Sequence, residues 1–315
     1  MTIVNTRFLS IIISVAIIIL LYWQIDFEKI IQVFLQANIL WIILGLTLVV
    51  PITLLTAFRL TFLSLYLNKI DFLEALKLIL AASVMNLILP SKMGDVAKGV
   101  FIVREKGITY AQAIPLVVFE KISDLLALLL WCIFGLLFLQ NYSSLYVTLL
   151  AVSFIFFTIG ILSISSKAFV NFAFKFLISL LPNKLSSNVD NFKKGWLEII
   201  DFINNDKIRG FLLSLLSIFL WFLHLLQIWI FIIALSPGVD FFVSLAITPL
   251  AIFAGLLPLT FSGIGTRDFA FIYLYAAYFS IATGAALGIL ATLRYIIPAL
   301  VGIPFFFQYS NKSLK

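Results

Sequence analysis

Long apolar runs, separated by short polar segments, dominate this chain of 315 residues. A helix needs about 20 apolar residues to cross the hydrocarbon core of a bilayer. Six runs meet or nearly meet that length: 8–24, 38–66, 115–139, 145–165, 210–235 and 284–308. The runs are unbroken, whereas the strands of a membrane barrel would alternate apolar and polar residues. The pattern therefore predicts an all-α integral membrane protein, folded as a polytopic helical bundle.

Two further apolar stretches, 72–90 and 241–261, end differently from the spans. Each runs into a charged segment that proline and glycine interrupt, where a spanning helix would end in a clean loop. Proline ends a helix, and glycine permits turns that other residues resist. We therefore predict two re-entrant helical hairpins, over 72–107 and 241–283. The tip residues are Asn86, Pro90 and Gly94 in the first hairpin and Pro258, Gly263 and Gly265 in the second.

The composition excludes a soluble fold, because hydrophobic residues make up 63% of the chain and charged residues only 11%. So few polar side chains could not cover so much apolar surface in water. In a soluble protein the net charge of +7 would suggest nucleic acid. In a membrane protein it reflects lysine and arginine retained on cytoplasmic loops, so we expect no nucleic-acid partner.

Few residues of the types that bind metals or act as nucleophiles are present. Cys132 is the single cysteine and lies inside an apolar run, and His224 is the only histidine. We therefore assign no metal site, no cofactor and no disulfide framework. His224 lies in mid-span beside Trp221, where we expect packing or an interhelical hydrogen bond. No nucleophile–base arrangement is visible, so we assign no catalytic residue and expect a protein that is not an enzyme.

The distribution of lysine and arginine predicts the orientation, because cytoplasmic loops are rich in these residues. Segment 166–209 carries seven of them, whereas segments 140–144 and 236–240 carry none. The first run, 8–24, lacks a small-residue cleavage pattern, so we expect a retained span. Both termini would then lie in the cytoplasm, with the protein in the plasma (inner) membrane. Apolar residues also recur at helical spacing within 166–209, which predicts an amphipathic helix in this cytoplasmic connection.

A weak internal repeat appears when the sequence is shifted by 173 residues. At this offset Asp95 falls on Asp268 and Lys121 falls on Arg294. Each unit, about 38–139 and about 210–308, then contains a span, a hairpin and another span. The loop charges place the two units in opposite orientations. Inverted repeats with discontinuous helices are typical of alternating-access transporters, in which the substrate binds between the repeats.

Charged residues inside these apolar segments are the strongest functional signal. Each costs about 2.5–3.5 kcal/mol at the centre of a membrane helix, so pairing or function must offset that cost. The candidate binding residues are Lys92, Asp95, Lys98, Glu120, Lys121, Asp124, Arg267, Asp268 and Arg294. In one interpretation they only pair with one another and lock the hairpins in place. In the other, which the repeat favours, part of the cationic set binds a lipid phosphate and the acids keep the empty site neutral. Arg59, near the end of its span, is assigned to snorkelling.

Over about residues 10–308 the chain resembles the lysylphosphatidylglycerol synthase transmembrane-region family, also called the flippase-like domain family. The resemblance rests on Asn86 to Pro90, Lys92-x-Gly94-Asp95-x-x-Lys98, Glu120-Lys121-x-x-Asp124, Gly263-x-Gly265-x-Arg267-Asp268 and Arg294. The family usually has arginine at the positions of Lys92, Lys98 and Lys121, and glutamate at those of Asp95 and Asp268. Charge is preserved, but bidentate binding of phosphate by arginine is not, because lysine is a point charge.

The resemblance implies a single flippase-like transmembrane domain over residues 1–315. In the synthases of this family that domain moves aminoacylated phosphatidylglycerol between leaflets, and a separate soluble domain transfers the amino acid. The implied cargo is a phospholipid such as aminoacyl-phosphatidylglycerol, or a polyprenyl-phosphate-linked glycan. Two alternatives stay open: an intramembrane glycosyl or aminoacyl transferase, and a non-transporting partner of such an enzyme. A separate synthase or glycosyltransferase, and a second copy of the chain, are further expected partners.

Overall fold

The computed structural model describes residues 27–67, 70–89, 94–139, 143–180, 182–257, 260 and 263–311. These residues form helices joined by short connections, and no strand occurs among them. The helices are α1 (Phe27–Gln36), α2 (Ile39–Thr47), α3 (Val49–Leu63, continued by a 3-10 turn over Ser64–Leu67), α4 (Phe72–Ile88), α5 (Gly94–Lys106), α6 (Tyr110–Leu139), α7 (Ser144–Ser165), α8 (Lys167–Leu180), α9 (Asn183–Asn204), α10 (Lys207–Leu235), α11 (Phe241–Leu256), α12 (Thr266–Leu274) and α13 (Ile281–Asn311). The predicted first span and the residues Pro90, Lys92 and Pro258 lie outside the described residues.

Five helical segments of the described chain are long and apolar enough to cross a membrane. They are Ile39–Leu67, Tyr110–Phe138, Ser144–Ser165, Lys207–Leu235 and Ile281–Ser310. They coincide with five of the six predicted spans. Large apolar side chains lie exposed along their outer faces, where lipid tails rather than water would contact them. The prediction of an all-helical, multi-pass membrane protein is confirmed.

The segment Ile39–Leu67 is interrupted at Leu48, between α2 and α3. Pro51 accounts for the break, because it has no N–H to donate to the carbonyl of Thr47 and its ring crowds that carbonyl. Thr53, just after the break, lines a cavity between the two predicted units. The interruption therefore lies beside the place where polar side chains gather.

Helices α4 and α5 pack together as the first predicted hairpin, and α11 and α12 pack together as the second. The first limbs end at Leu89 (φ −96°, ψ 144°) and Leu257 (φ −61°, ψ 136°), which are both extended. Each of these leucines precedes a proline in the sequence, and a residue before proline is driven out of the helical region. The hairpin limbs thus end where the sequence predicts.

Glycines allow the limbs of both hairpins to turn and approach each other. A Cβ on Gly94 would collide with the backbone nitrogen of Asn86 on the opposite limb. Gly263 and Gly265 have φ values of +74° and +95°, a left-handed conformation that side chains disfavour. The predicted roles of these three tip glycines follow from the backbone itself.

The hairpin of each predicted unit packs against the last span of the other unit. The first limb of hairpin one, α4, packs along α13 of the second unit, and the first limb of hairpin two, α11, packs along α6 of the first. A glycine allows close approach at both contacts. A Cβ on Gly302 would collide with the carbonyl of Leu80, and one on Gly135 would collide with the backbone at Ala246. This reciprocity fits the repeat, while the inverted orientation of the two units stays a prediction.

The connection between the units contains a helix with an exposed apolar face. In α8 the rings of Phe172 and Phe176 and the side chain of Leu180 are exposed, while Val170 is buried. This arrangement agrees with the predicted amphipathic helix. Helix α9 packs on α6, and its Trp196 ring is buried there. The connection thus packs along one side of the bundle, and none of its described residues lines the cavity between the two units.

Candidate functional site

A polar cavity of about 160 Å³ lies between the two predicted units. Helices α3, α4, α5 and α6 of the first unit and α10 and α13 of the second form its walls. Its polar lining includes Thr53, Thr56, Arg59, Ser83, Asn86, Asp95, Lys121, Asp124, His224, Gln227 and Arg294. One water molecule needs about 10–15 Å³ by this measure, so the cavity has room for a small polar group and some water.

Arg59 of α3 is the centre of an ion-pair network on one wall. Its Nη1 lies 2.5 Å from Oδ1 of Asp124, and its Nη2 lies 3.1 Å from Oε1 of Glu120. The two acids are four residues apart, so they project from the same face of α6, as predicted. Nη1 also lies 3.2 Å from Oγ of Ser217 on α10. Arg59 is only 3% exposed, so the expectation that it snorkels to the membrane surface is wrong.

Two lysines complete this network. Lys98 of α5 pairs with Glu120, and both side chains are buried. Lys121 pairs with Asp95 at the start of α5 and lies 3.7 Å from Asp124. The Lys121 side chain is 41% exposed, so it is the most accessible cation of the network. These pairs tie hairpin one to the span that follows it.

The tip of hairpin one is also held by an amide. Nδ2 of Asn86 donates to Oδ1 of Asp95 across the two limbs at 3.2 Å. Oδ1 of Asn86 is buried and has no hydrogen-bond partner within the described residues. The Asn86 side chain lines the cavity, so this unsatisfied oxygen is available to accept a hydrogen bond from a ligand in the cavity.

Arg267 and Asp268 of hairpin two form a buried pair of their own. Nη2 of Arg267 lies 2.8 Å from Oδ1 of Asp268. The same guanidinium donates to the carbonyls of Gly288 and Ala291 and to Oγ1 of Thr292 on α13. Neither charged residue is part of the cavity lining. The pair therefore fastens the second hairpin to the last span.

The N-terminus of α12 already holds an anion. The backbone N–H of Gly265 donates to Oδ2 of Asp268 at 3.1 Å. A helix N-terminus favours negative charge, and phosphate is a common ligand in such a position. Here the carboxylate of the same helix occupies it, so the cations rather than this helix end are available to a guest.

Arg294 of α13 differs from every other cation in the cavity wall. It is 3% exposed, and its Nη1 donates to Oε1 of Gln227 at 3.2 Å. Nη1 also lies 3.4 Å from Nδ1 of His224, and Nη2 donates to the hydroxyl of Tyr295 at 2.6 Å. All these partners are uncharged when His224 is neutral. No carboxylate within the described residues pairs with Arg294, and its Nε has no hydrogen-bond partner among them.

Within the described residues, the charges of this interior do not cancel. We define the charged core as Arg59, Asp95, Lys98, Glu120, Lys121, Asp124, Arg267, Asp268 and Arg294. It contains five cations and four carboxylates, so its formal charge is +1 when all nine are ionised. Eight of the nine residues form ion-paired groups with no net charge, and Arg294 is the one that belongs to no such group.

A comparison with known protein families gives a match over most of the chain. Residues 7–302 match the family described as lysylphosphatidylglycerol synthase TM region. The chain belongs to this family. A comparison with curated proteins finds no significant match.

In this lysylphosphatidylglycerol synthase TM-region protein, the structure separates the predicted binding residues into two groups. Asp95, Lys121, Asp124 and Arg294 line the cavity. Lys98, Glu120, Arg267 and Asp268 lie outside its lining and hold the helices that carry the first group. Lys92 lies outside the described residues. The predicted set therefore combines cavity residues with the supports behind them.

Several cavity residues of this family member were missed by the sequence analysis. Gln227 carried a usable signal, because it is a lone amide in the apolar helix Lys207–Leu235. Tyr295 and Trp221 carried none, since aromatic residues are common throughout the chain. Nε1 of Trp221 donates to Oδ1 of Asp124 at 3.2 Å. His224 was predicted to pack or to hydrogen-bond between helices, and its ring does contact Arg294.

No group of three or more His, Cys, Asp or Glu side chains among the described residues is arranged to hold a metal ion. The acids that face the cavity are instead engaged by cations. Asp95 meets Lys121, and Asp124 meets Arg59 and Lys121. The arrangement therefore favours electrostatic binding of a charged guest.

Proposed function

We propose that this protein moves a phosphate-bearing membrane lipid between the leaflets of a bilayer. The headgroup enters the cavity beside Arg294, and the tails stay among the surrounding lipids. The observation that carries the proposal is a buried arginine without a carboxylate partner in the described residues, on the wall of a polar cavity between two helical units. Membership of a family named for lipid synthases supports a lipid as the guest.

The energetics of buried charge favour an anionic guest. An arginine in an apolar interior is costly unless an opposite charge neutralises it. A guanidinium binds phosphate through parallel N–H donors, which suits Arg294 better than a lysine at the same place. Lys121 on the facing wall is exposed enough to leave Asp95 and add a second contact. The guest thus meets cations from both units.

Alternating access gives the headgroup a physical route across the membrane. In inverted-repeat transporters one unit rocks against the other, and the site between them opens to each side in turn. Here the cavity walls come from both units, and each unit's hairpin packs on the other unit's last span. A headgroup held between them would cross the membrane while Arg59, Lys98 and Arg267 keep their carboxylate partners.

The cargo that we propose is a phospholipid such as aminoacyl-phosphatidylglycerol or a polyprenyl-phosphate-linked glycan. The protein would act by translocation rather than by catalysis. Support comes from the cavity acids, because a carboxylate that is neutralised by cations is a poor general base. A separate synthase or glycosyltransferase would supply the lipid.

We further propose that the protein lies in the plasma (inner) membrane with both termini in the cytoplasm. The basic residues of the connection 166–209 support this orientation, because cytoplasmic segments of membrane proteins are rich in lysine and arginine. Labelling of single cysteines placed in 166–209 and in 236–240 tests it. Reagents that cannot cross the membrane should modify only the second position in intact cells.

Reconstituted liposomes test the translocation. Phosphatidylglycerol with a fluorescent tail is placed in both leaflets, and dithionite then quenches the outer leaflet. Wild-type protein should expose the inner lipid to quenching, while Arg294→Gln should not. Lys167→Gln is the matched control, because Lys167 forms an exposed ion pair with Asp201 outside the cavity. Wild-type activity in a folded Arg294→Gln protein would contradict the proposal, and a lipid product formed by the purified chain would favour the transferase alternative.

A further inference from the structure

We infer that the cavity selects a headgroup with one negative charge, a phosphodiester monoanion, over uncharged headgroups and over dianionic phosphate headgroups. The inference rests on the proposed function for the identity of the guest as a lipid. It deepens that function, because it names the class of lipid that the cavity accepts. The basis is the charge that the described interior leaves without a counter-ion.

The first part of the charged core is neutral. Three cations face three carboxylates in one connected network: Arg59, Lys98 and Lys121 with Asp95, Glu120 and Asp124. Every carboxylate in it touches a cation, and every cation touches a carboxylate. A guest that adds charge to this wall must therefore disturb pairs that already exist.

The second part carries the surplus. Arg267 and Asp268 cancel each other, which leaves the guanidinium of Arg294 as a charge of +1. The ring centroid of Tyr295 lies 4.6 Å from the Cζ of Arg294 and 5.9 Å from that of Arg267. An aromatic face stabilises a cation without neutralising it. Arg294 is thereby held in place while its charge stays available.

The net charge of the occupied site decides which headgroup fits. One negative charge brings the charged core to zero, and an uncharged headgroup leaves the surplus of +1 in an apolar interior. A dianion would convert the surplus to −1, and that excess would cost about as much as the original one. A dianion would therefore need a proton or a cation to enter with it.

This rule divides the possible cargo by chemistry. Phosphatidylglycerol and sugars linked through one phosphate to a polyprenol carry one phosphodiester and one negative charge. Aminoacyl-phosphatidylglycerol also carries an ammonium, so it meets the rule only when its phosphodiester lies at Arg294 and its ammonium lies outside the charged core. Polyprenyl diphosphates carry at least two negative charges, and diacylglycerol carries none. The first class matches the surplus at Arg294, and the other two do not.

Thermal unfolding of the purified full chain in a neutral maltoside detergent measures the selectivity. The ligands are phosphatidylglycerol, diacylglycerol, geranylgeranyl diphosphate and the soluble headgroup glycerophosphoglycerol. Phosphatidylglycerol should bind at least about tenfold more tightly than diacylglycerol or the diphosphate, a conservative figure for one unbalanced buried charge. Arg294→Gln should abolish this preference, and Lys167→Gln should keep it.

A variant that changes the surplus in the other direction makes the test sharper. Asp95→Asn and Asp124→Asn each remove one carboxylate and raise the surplus to two positive charges. Either one should shift the preference toward the diphosphate by about tenfold. Two variants are used because one that folds is enough for the test. If neither folds, the affinities of the wild-type protein for phosphatidylglycerol and for the diphosphate decide whether the inference holds. Diphosphate binding as tight as phosphatidylglycerol binding in the wild type would overturn the inference, as would an unchanged preference in a folded aspartate variant.

The outcomes for the inference and for the proposed function are separable. Selective binding of phosphatidylglycerol without translocation in liposomes would overturn the proposed function and support the monoanion rule. Equal affinity for glycerophosphoglycerol and for phosphatidylglycerol would show that a dissolved phosphodiester is the ligand, and it too would contradict lipid transport. Translocation of phosphatidylglycerol and of a diphosphate lipid at equal rates would support the function and contradict the rule.

Discussion

Arg59 and Arg294 lie on the wall of one cavity, but only Arg59 is neutralised by carboxylates of the described residues. Arg59 meets Glu120 and Asp124, whereas Arg294 meets uncharged partners, with Gln227 among them. Both residues are 3% exposed, and both have a buried Nε without a hydrogen-bond partner in the described chain. The two arginines therefore differ in the charge of their partners and not in burial. This difference separates a structural cation from one that is available to bind a ligand.

The two arginines should respond in opposite ways to the same substitution. Arg59→Gln leaves two buried carboxylates short of a cation and should lower the free energy of unfolding by about 3–5 kcal/mol. Arg294→Gln removes an uncompensated buried charge and should leave stability unchanged or raise it by about 1–2 kcal/mol in lipid-free detergent. Chemical unfolding followed by tryptophan fluorescence measures both. An equal loss in the two variants would contradict the distinction.

Lys121 and Asp95 should be energetically coupled, because their ion pair joins α6 to the tip of hairpin one. The single variants Lys121→Gln and Asp95→Asn and the double variant form a thermodynamic cycle. We expect an interaction free energy of about 0.5–3 kcal/mol, the range for residues in direct contact. A cycle on Lys121 and Asp268, which form no ion pair with each other, is the control. Strict additivity for Lys121 and Asp95 would show that the pair does not hold the hairpin.

Arg267 should matter for folding and not for lipid choice. Arg267→Gln removes an ion pair and two hydrogen bonds to carbonyls of α13, so stability should fall by about 3–5 kcal/mol. The double variant Arg267→Gln/Asp268→Asn removes both charges of the pair and keeps the surplus of +1 at Arg294, so its folded fraction should keep the lipid preference of the wild type. Ligand-dependent shifts in unfolding temperature measure both effects. A changed order of preference would place Arg267 in the binding site.

The glycines at the reciprocal helix contacts should not accept a side chain. A Cβ on Gly302 or Gly135 meets rigid backbone, so replacement by alanine should destabilise despite the better helix propensity of alanine. Gly160→Ala is the control, because its nearest neighbour is the flexible side chain of Leu126. Unfolding temperatures in detergent measure the difference. Equal tolerance at all three sites would show that α4 and α13, and α6 and α11, approach less closely than described.

Spans and hairpins could be predicted from the sequence because their signals are local. Apolar length marks the spans, and the residue before each hairpin proline is extended for a steric reason that needs no tertiary context. Lys121 and Asp95 could both be identified as candidates from the sequence, because charged residues are rare in apolar helices.

The partners of individual charges could not be predicted, because they depend on how neighbouring helices are rotated. Arg59 looked like a snorkelling residue near the end of a span, yet α3 turns it toward two acids of α6. Arg267 and Arg294 lie in the same unit, but the carboxylate of Asp268 reaches only Arg267. The unbalanced arginine, which carries the functional proposal, thus emerges from tertiary packing alone.

Native mass spectrometry of the protein released from its own membrane tests the central claim most directly. Wild type and Lys167→Gln should each retain a stoichiometric phospholipid with a phosphodiester headgroup, and Arg294→Gln should lose it. Equal retention of that lipid by folded Arg294→Gln protein would contradict the claim that the unpaired arginine binds the headgroup.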